Sequence, residues 1–185
     1  MQENRIKVAI NPNIVDKHIN GDTHYLGNGW KNVELSVQEL IAHISDGHPF
    51  CAQLLSDKRS SKNYHLTNLI AVDVDAGTTL REALENEFSQ NHLTFYYTTA
   101  NHTVEKNRFR LCFLVDHDIT EPDDYRAIKR ALGLKYCGDP STHDPSRISY
   151  GNQQARHQLF NRHIPSNVVD ELIELGRVER GINPN

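Results

Sequence analysis

Asp73 and Asp75 are the residues whose placement most invites chemistry. They close the most apolar stretch of the chain, Leu69-Ile-Ala-Val-Asp73-Val-Asp75, just before Ala76-Gly77. In a strand, side chains two residues apart share a face. Two carboxylates so placed repel one another and are costly to bury unpaired. A divalent cation offsets both problems. Hard oxygen ligands at a strand end suit Mg²⁺ or Mn²⁺, which a couple of carboxylates hold together with substrate phosphates. The plainer alternative is two solvated turn residues ahead of Gly77.

Two further clusters carry suitable groups. Thr98-Thr-Ala-Asn-His102-Thr is followed by Arg108-Phe-Arg110, which opens a second apolar stretch. A hairpin there sets His102 at a sheet rim and puts Arg108 and Arg110 on one strand face. Guanidinium groups suit a triphosphate, arginine being the better bidentate partner; otherwise this is a polar loop with surface ion pairs. Downstream, Cys137-Gly-Asp139-Pro-Ser-Thr-His143-Asp144-Pro-Ser-Arg147 offers a third carboxylate, Asp139, and a phosphate ligand, Arg147. Asp139 and Asp144 also read as turn acids before proline.

The elements that must position these groups are legible from pattern. Arg5–Ile10 is a short strand ended by Asn11-Pro12-Asn13. Ser36-Val-Gln-Glu39 is a capping box opening a helix to about Ser45, with Val37, Leu40, Ile41 and Ile44 on one face. Leu69–Val74 predicts a buried strand, and a second capping box, Thr79-Leu-Arg-Glu82, opens a helix to about Phe88. Leu93–Thr99 and Phe109–Val115 are strands, and Thr120 starts a helix with Pro122 in its first turn that runs to Leu132. Arg147–Tyr150 and His157–Phe160 are short strand candidates. Ser166 caps a final amphipathic helix that Gly176 ends, leaving a frayed tail from Arg177 to Asn185.

Residues 69 to 150 therefore run β-α-β-β-α-β, the ferredoxin-like or RRM-like α+β arrangement. The expected organisation is an N-terminal α/β module over 1–66, an RRM-like core over 67–165 and a C-terminal helix and tail over 166–185, all in one compact domain. Such a fold permits many functions, so the site must decide among them.

Composition narrows the classes. The 185 residues are 37% apolar and 24% charged, with a net charge of -4, ordinary for a globular chain. A protein that coats nucleic acid indiscriminately is usually basic, so any such contact should be local. The basic loop Lys58, Arg59 and Lys62 is a candidate patch for it, or simply a solvated loop. Cys51, Cys112 and Cys137 have no CxxC or zinc spacing, which predicts small buried apolar residues in a reducing compartment. No stretch reads as a membrane span or a signal peptide. The expectation is a soluble, cytoplasmic protein without a membrane partner.

Taken together, the three clusters resemble the motifs of the archaeo-eukaryotic primase superfamily, specifically the primase-polymerases of plasmids, phages and mobile elements. Asp73 and Asp75 match the family's DxD, and Ala100-Asn101-His102 matches its small-x-His motif, with Ala in place of the usual Ser. Asp139 matches the third acid, and Asp144-Pro-Ser-Arg147 resembles the approach to the last core strand. The order agrees over residues 66 to 152. The resemblance implies a DNA primase/polymerase that joins nucleotides on a single-stranded DNA template by two-metal-ion catalysis. Asp73, Asp75 and Asp139 would hold two Mg²⁺ or Mn²⁺ ions. His102 and Arg147 would neutralise the phosphates of a dNTP or NTP, Arg110 would be a further nucleotide ligand, and Lys58, Arg59 and Lys62 would meet the template. Relatives often work with a helicase domain or protein.

Two rivals stand beside this. A rolling-circle replication initiator needs a His-apolar-His metal pair, which is lacking, and Tyr125-Arg-Ala-Ile-Lys129 misses the Tyr-x-x-Lys spacing by one residue. A noncatalytic RRM-like module would stack bases on Phe95, Tyr96, Tyr97 and Phe109.

Overall fold

A strand that is apolar at successive positions must be covered on both faces, and the stretch ending at Asp73 is so covered. The computed structural model describes residues 5–16, 24–139 and 143–182. Strands β1 (Ile6–Ile10), β2 (Lys31–Leu35) and β3 (Phe50–Cys51) form a small antiparallel sheet in the order β2-β1-β3. Strands β4 (Gln53–Leu54), β5 (Tyr64–Val74), β6 (Phe95–Thr98), β7 (Phe109–Ile119) and β8 (His157–Leu159) make the larger sheet in the order β4-β5-β7-β6-β8. Strand β9 (His163–Ile164) joins β7 in parallel. The helices are α1 (Val37–Ser45), α2 (Leu80–Glu85), α3 (Glu87–His92), α4 (Pro122–Tyr136) and α5 (Ser166–Ile182). The protein is thus α+β with mainly antiparallel sheets.

Alternation along β5 and β7 divides the core. Ile70, Val72, Val74, Leu111 and Phe113 pack with Ile128 and Leu132 of α4 and Val169 and Leu172 of α5. Leu69, Ala71, Cys112, Phe95 and Tyr97 pack on the other side with Ile6 and Val8 of β1 and Leu40, Ile41 and Ile44 of α1. The second cluster draws on residues from both sides of position 66, and β5 itself begins at Tyr64. None of the described helices is long and apolar enough to cross a membrane.

Both capping boxes form: Ser36 and Thr79 accept the N–H groups of Glu39 and Glu82, whose carboxylates reach back to the cap residues. Several expectations are corrected. The helix from Thr79 breaks at Asn86, whose extended backbone ends α2 and whose side chain accepts from the Phe88 N–H to start α3. Arg147–Tyr150 is not a strand of the main sheet. Beside β5 the sheet is filled by β4, with Gln53 opposite Leu66, and Ser149 instead bridges Phe50. The last strand of the β-α-β-β-α-β order is β8, outside β6. Cys51 and Cys112 are buried as expected, but Cys137 is exposed at the left-handed end of α4.

Gly176 does not end α5, which continues to Ile182. It is buried against α4, so close that a methyl group there would overlap the Ala127 carbonyl, and its own carbonyl accepts from Arg130 Nη1 at 2.7 Å. Overpacking of this kind costs about 1–3 kcal/mol. Gly176→Ala should therefore lower the melting temperature by about 2–12 °C. Gly181→Ala on the same helix, where nothing lies within 4 Å, should leave it level or raised. Equal melting curves for the two variants would show that the close approach is not needed.

Candidate functional site

Strand register builds the site. Asp73 of β5 lies directly opposite Arg110 of β7, and Arg110 directly opposite Tyr97 of β6. Directly opposed residues share a face of the sheet, so the three form one row across three strands. The Arg110 guanidinium donates to Asp73 Oδ1 and to the Tyr97 hydroxyl, and also to the Tyr150 carbonyl at 3.3 Å. Tyr97 in turn donates to that carbonyl at 3.1 Å. The Arg110 and Asp73 side chains are only 6% and 13% exposed. Burial opposes the charge on Arg110, but Asp73 and the Tyr97 oxygen more than offset it and raise its pKa above the ordinary arginine value. Among the described residues Arg110 Nε has no hydrogen-bond partner.

The third acid arrives by main chain. Helix α4 ends at Cys137 in the left-handed region (φ 50°), which turns the chain back toward β5. Gly77, with φ +83°, makes room for it, since a Cβ there would stand 2.8 Å from Cys137 Cβ. Two residues further on, the Asp139 N–H donates to the Asp73 carbonyl at 3.1 Å. Asp144 accepts from the Ser146 N–H and hydroxyl at 2.9 and 3.1 Å, an Asx-type turn that sends Arg147 toward the same place. Asp144 is thus the turn acid of the plainer expectation.

Asp73, Asp75, Asp139, Arg108, Arg110 and Arg147 line one cavity of about 80 Å³. Asp75 and Arg108 continue into a cleft of about 460 Å³ between residues 75–82 and 105–108. His102 lies outside the acidic cavity, in an adjoining pocket of about 210 Å³ with Thr98, Asn152, Gln154 and Arg156. Its Nδ1 accepts the Arg108 N–H at 3.1 Å, which leaves Nε2 to carry the proton. Lys58 and Lys62 stand exposed outside these three spaces, whereas Arg59 donates to the carbonyls of Leu26 and Ser146.

As arranged, no group of three His, Cys, Asp or Glu among the described residues is close enough to hold a metal ion. The donor chemistry nevertheless suits a hard cation: three carboxylates from two segments line one small cavity, and only one oxygen of Asp73 is taken up in the pair with Arg110. For the RRM-like rival, Phe95, Tyr97 and Phe109 are buried and Tyr96 alone of its four rings is half-exposed, so these four do not form a stacking platform. Tyr125, the rolling-circle nucleophile considered above, is buried as well.

Sequence reasoning missed Lys129. It is 4% exposed and sits within the stripe Tyr125, Ile128, Leu132 and Tyr136 of α4; that helical spacing was the available signal. Burial lowers its pKa from 10.5 to about 8, Asp73 opposing the shift and Arg110 and Arg147 adding to it.

The fold is an α+β arrangement of the kind seen in archaeo-eukaryotic primase domains. The structure is similar to the archaeo-eukaryotic primase domain of the cyanophage S-2L primase-polymerase, with a TM-score of 0.53 and 10% identity over 93% of this chain and 90% of that one. It is also similar to the primase RepB′, with a TM-score of 0.51 and 13% identity, all of this chain spanning 61% of the other. No curated protein matches the sequence. Residues 36–164 match the VapE N-terminal domain, and the chain belongs to that family.

The Lys129 burial sets a pH dependence. Below about pH 8 the amine is charged in both folded and unfolded chains, and the full cost of burying it is present. Between about 8 and 10.5 the unfolded chain keeps a proton that the folded one has shed, so this group makes stability rise with pH. Lys129→Met should be about 1–3 kcal/mol more stable at pH 7 and lack that rise. Urea denaturation at a series of pH values checks both, and parallel curves for the two proteins would contradict the assignment.

Proposed function

We propose that this chain is the catalytic domain of a DNA primase/polymerase, a nucleotidyltransferase that makes or extends primers on a single-stranded DNA template. The observation that carries this is the meeting of Asp73, Asp75 and Asp139 with Arg147 in one cavity at the end of β5, beside the His102 pocket. Asp73, Asp75 and Asp139 would hold Mg²⁺ or Mn²⁺. Bound there, the ions would supply charge stabilisation at the attacking 3′-oxygen and the departing pyrophosphate.

The remaining groups divide the other tasks. Arg147, exposed at the cavity wall, neutralises the triphosphate of a dNTP or NTP, and His102 adds an Nε2–H donor from the neighbouring pocket. Arg110 is a positioning residue: its guanidinium holds one Asp73 oxygen, so the carboxylate presents the other in a fixed direction. This replaces a direct contact of Arg110 with nucleotide, since its donors are directed at Asp73, Tyr97 and Tyr150. Lys58 and Lys62 provide a separate positive patch for template. A helicase, in the same protein or another, would supply the opened strand.

The test is incorporation of labelled nucleotides on primed and unprimed single-stranded templates with Mn²⁺ or Mg²⁺. Asp73→Asn and Asp139→Asn should each lower incorporation by at least about 100-fold, the scale on which removing a group that supports developing charge acts. Far-UV circular dichroism should be unchanged. Template binding that persists in the variants and in chelator, with no incorporation by the wild type under any metal, would replace the enzyme with a noncatalytic binding module.

A further inference from the structure

Residues 145–169 contain Arg147, Arg156, Arg162, His157 and His163 and neither Asp nor Glu, in a chain whose net charge is -4. Within this segment a ribbon of exposed residues from Arg147 to Arg162 follows the cavity mouth, the His102 pocket and the outer edge of the larger sheet, while Ile148, Ser149 and Asn152 are buried between them. Arg147 and Tyr150 line the acidic cavity. Asn152, Gln154 and Arg156 line the His102 pocket. Strand β8 then runs as the outer strand of the larger sheet, with His157 and Gln158 opposite Tyr97 and Tyr96.

Two observations show that this charge is not spent within the fold. Among the described residues Arg147, Arg156 and Arg162 pair with no carboxylate, as is also true of Arg59, Arg108, Arg130 and Arg180, whereas Arg5, Arg81, Arg110, Arg126 and Arg177 each do. Arg147, Arg156 and Arg162 are all exposed. Beyond the pocket, the ribbon also presents half-buried rings. The Arg162 guanidinium lies 5.4 Å from the Phe160 ring centre, and that ring lies 6.4 Å from Tyr96.

We propose that this ribbon is the track for single-stranded DNA beside the site, a surface that deepens and rests on the polymerase reading. Arg156 and Arg162, on either side of β8, each neutralise a phosphate, while the rim of Tyr96 and Phe160 offers ring edges to the bases. Flexible single strands suit such a border, because a cationic track with aromatic neighbours follows the backbone without reading sequence. Its start at Arg147 places the strand next to the cavity where nucleotide joining would occur. The covered faces of the sheet leave this border as the part of β6 and β8 able to meet a polymer.

The test measures binding of a fluorescein-labelled oligo(dT) of about 16 nucleotides, the upper site size of one small domain, by anisotropy over a salt series without nucleotide or metal. Each phosphate contact on a single strand contributes about 0.7 to the slope of log affinity against log salt. Arg156→Gln/Arg162→Gln should weaken binding at least about tenfold and reduce the slope by about 1.4. Because Arg162 also donates to the Ser89 carbonyl at 3.3 Å, the single Arg156→Gln variant provides a second measurement, with a slope change of about 0.7. Lys58→Gln/Lys62→Gln should have the smaller effect. Unchanged affinity and slope in the ribbon variants, or no binding of oligo(dT) by the wild type at low salt, would overturn the proposal. Nucleotide incorporation by the wild type, measured separately on a primed template, tells failure of the ribbon from failure of the polymerase reading.

Discussion

The pairing of Asp73 with Arg110 is the constraint around which the rest of the molecule is arranged. A carboxylate buried to this extent is costly unless a countercharge lies within reach, and strand register sets Arg110 directly across from it. Burying the guanidinium raises the same demand in turn, met by Tyr97 and the Tyr150 carbonyl. Polar groups therefore run from β5 through β7 to β6 inside an otherwise apolar layer. Pairs of this kind are weak contributors to net stability but strong arbiters of geometry, because removing one partner strands the other. A slip of one residue between β5 and β7 would put the two side chains on opposite faces of the sheet and break the pair.

Around this row the two layers have separate work. Helices α4 and α5 cover one face of the large sheet with Ile128, Leu132 and Val169. On the other face the small sheet and α1 bury Tyr97 and Phe95 and leave the strand ends open. The charged groups gather at those ends because three different segments deliver them there: the end of β5 brings Asp73 and Asp75, the left-handed exit of α4 brings Asp139, and the Asx turn at Asp144 brings Arg147. Only the first of these is a regular element. The main-chain bond from the Asp139 N–H to the Asp73 carbonyl ties the third acid's backbone to the end of β5.

Much of this was legible in the sequence, for physical reasons. Capping boxes are local and reciprocal, so Ser36 and Thr79 marked their helices without tertiary knowledge. The apolar run ending at Asp73 had one workable place, between two covering layers. What escaped depended on distant partners. Gly176 looks like a helix stop by local rules, and only the approach of Ala127 explains a glycine in mid-helix. Arg147–Tyr150 has strand-like residues, yet the position beside β5 belongs to the two-residue strand β4, too short to leave a periodic signal. Arg110 looked like a free cation because nothing local shows that Asp73 and Tyr97 face it. Lys129 was visible as a polar residue in an apolar stripe and was passed over.

Strand β8 has a consequence for the molecule's behaviour in crowded solution. An outermost strand presents unpaired main-chain groups, an invitation for a second copy to add itself and for sheets to grow into fibres. Here Arg156 and Arg162 give that border the same sign of charge in every copy, so approaching molecules repel one another there. Colloidal solubility and the border's chemistry are carried by the same side chains, and selection acting on either one constrains the other.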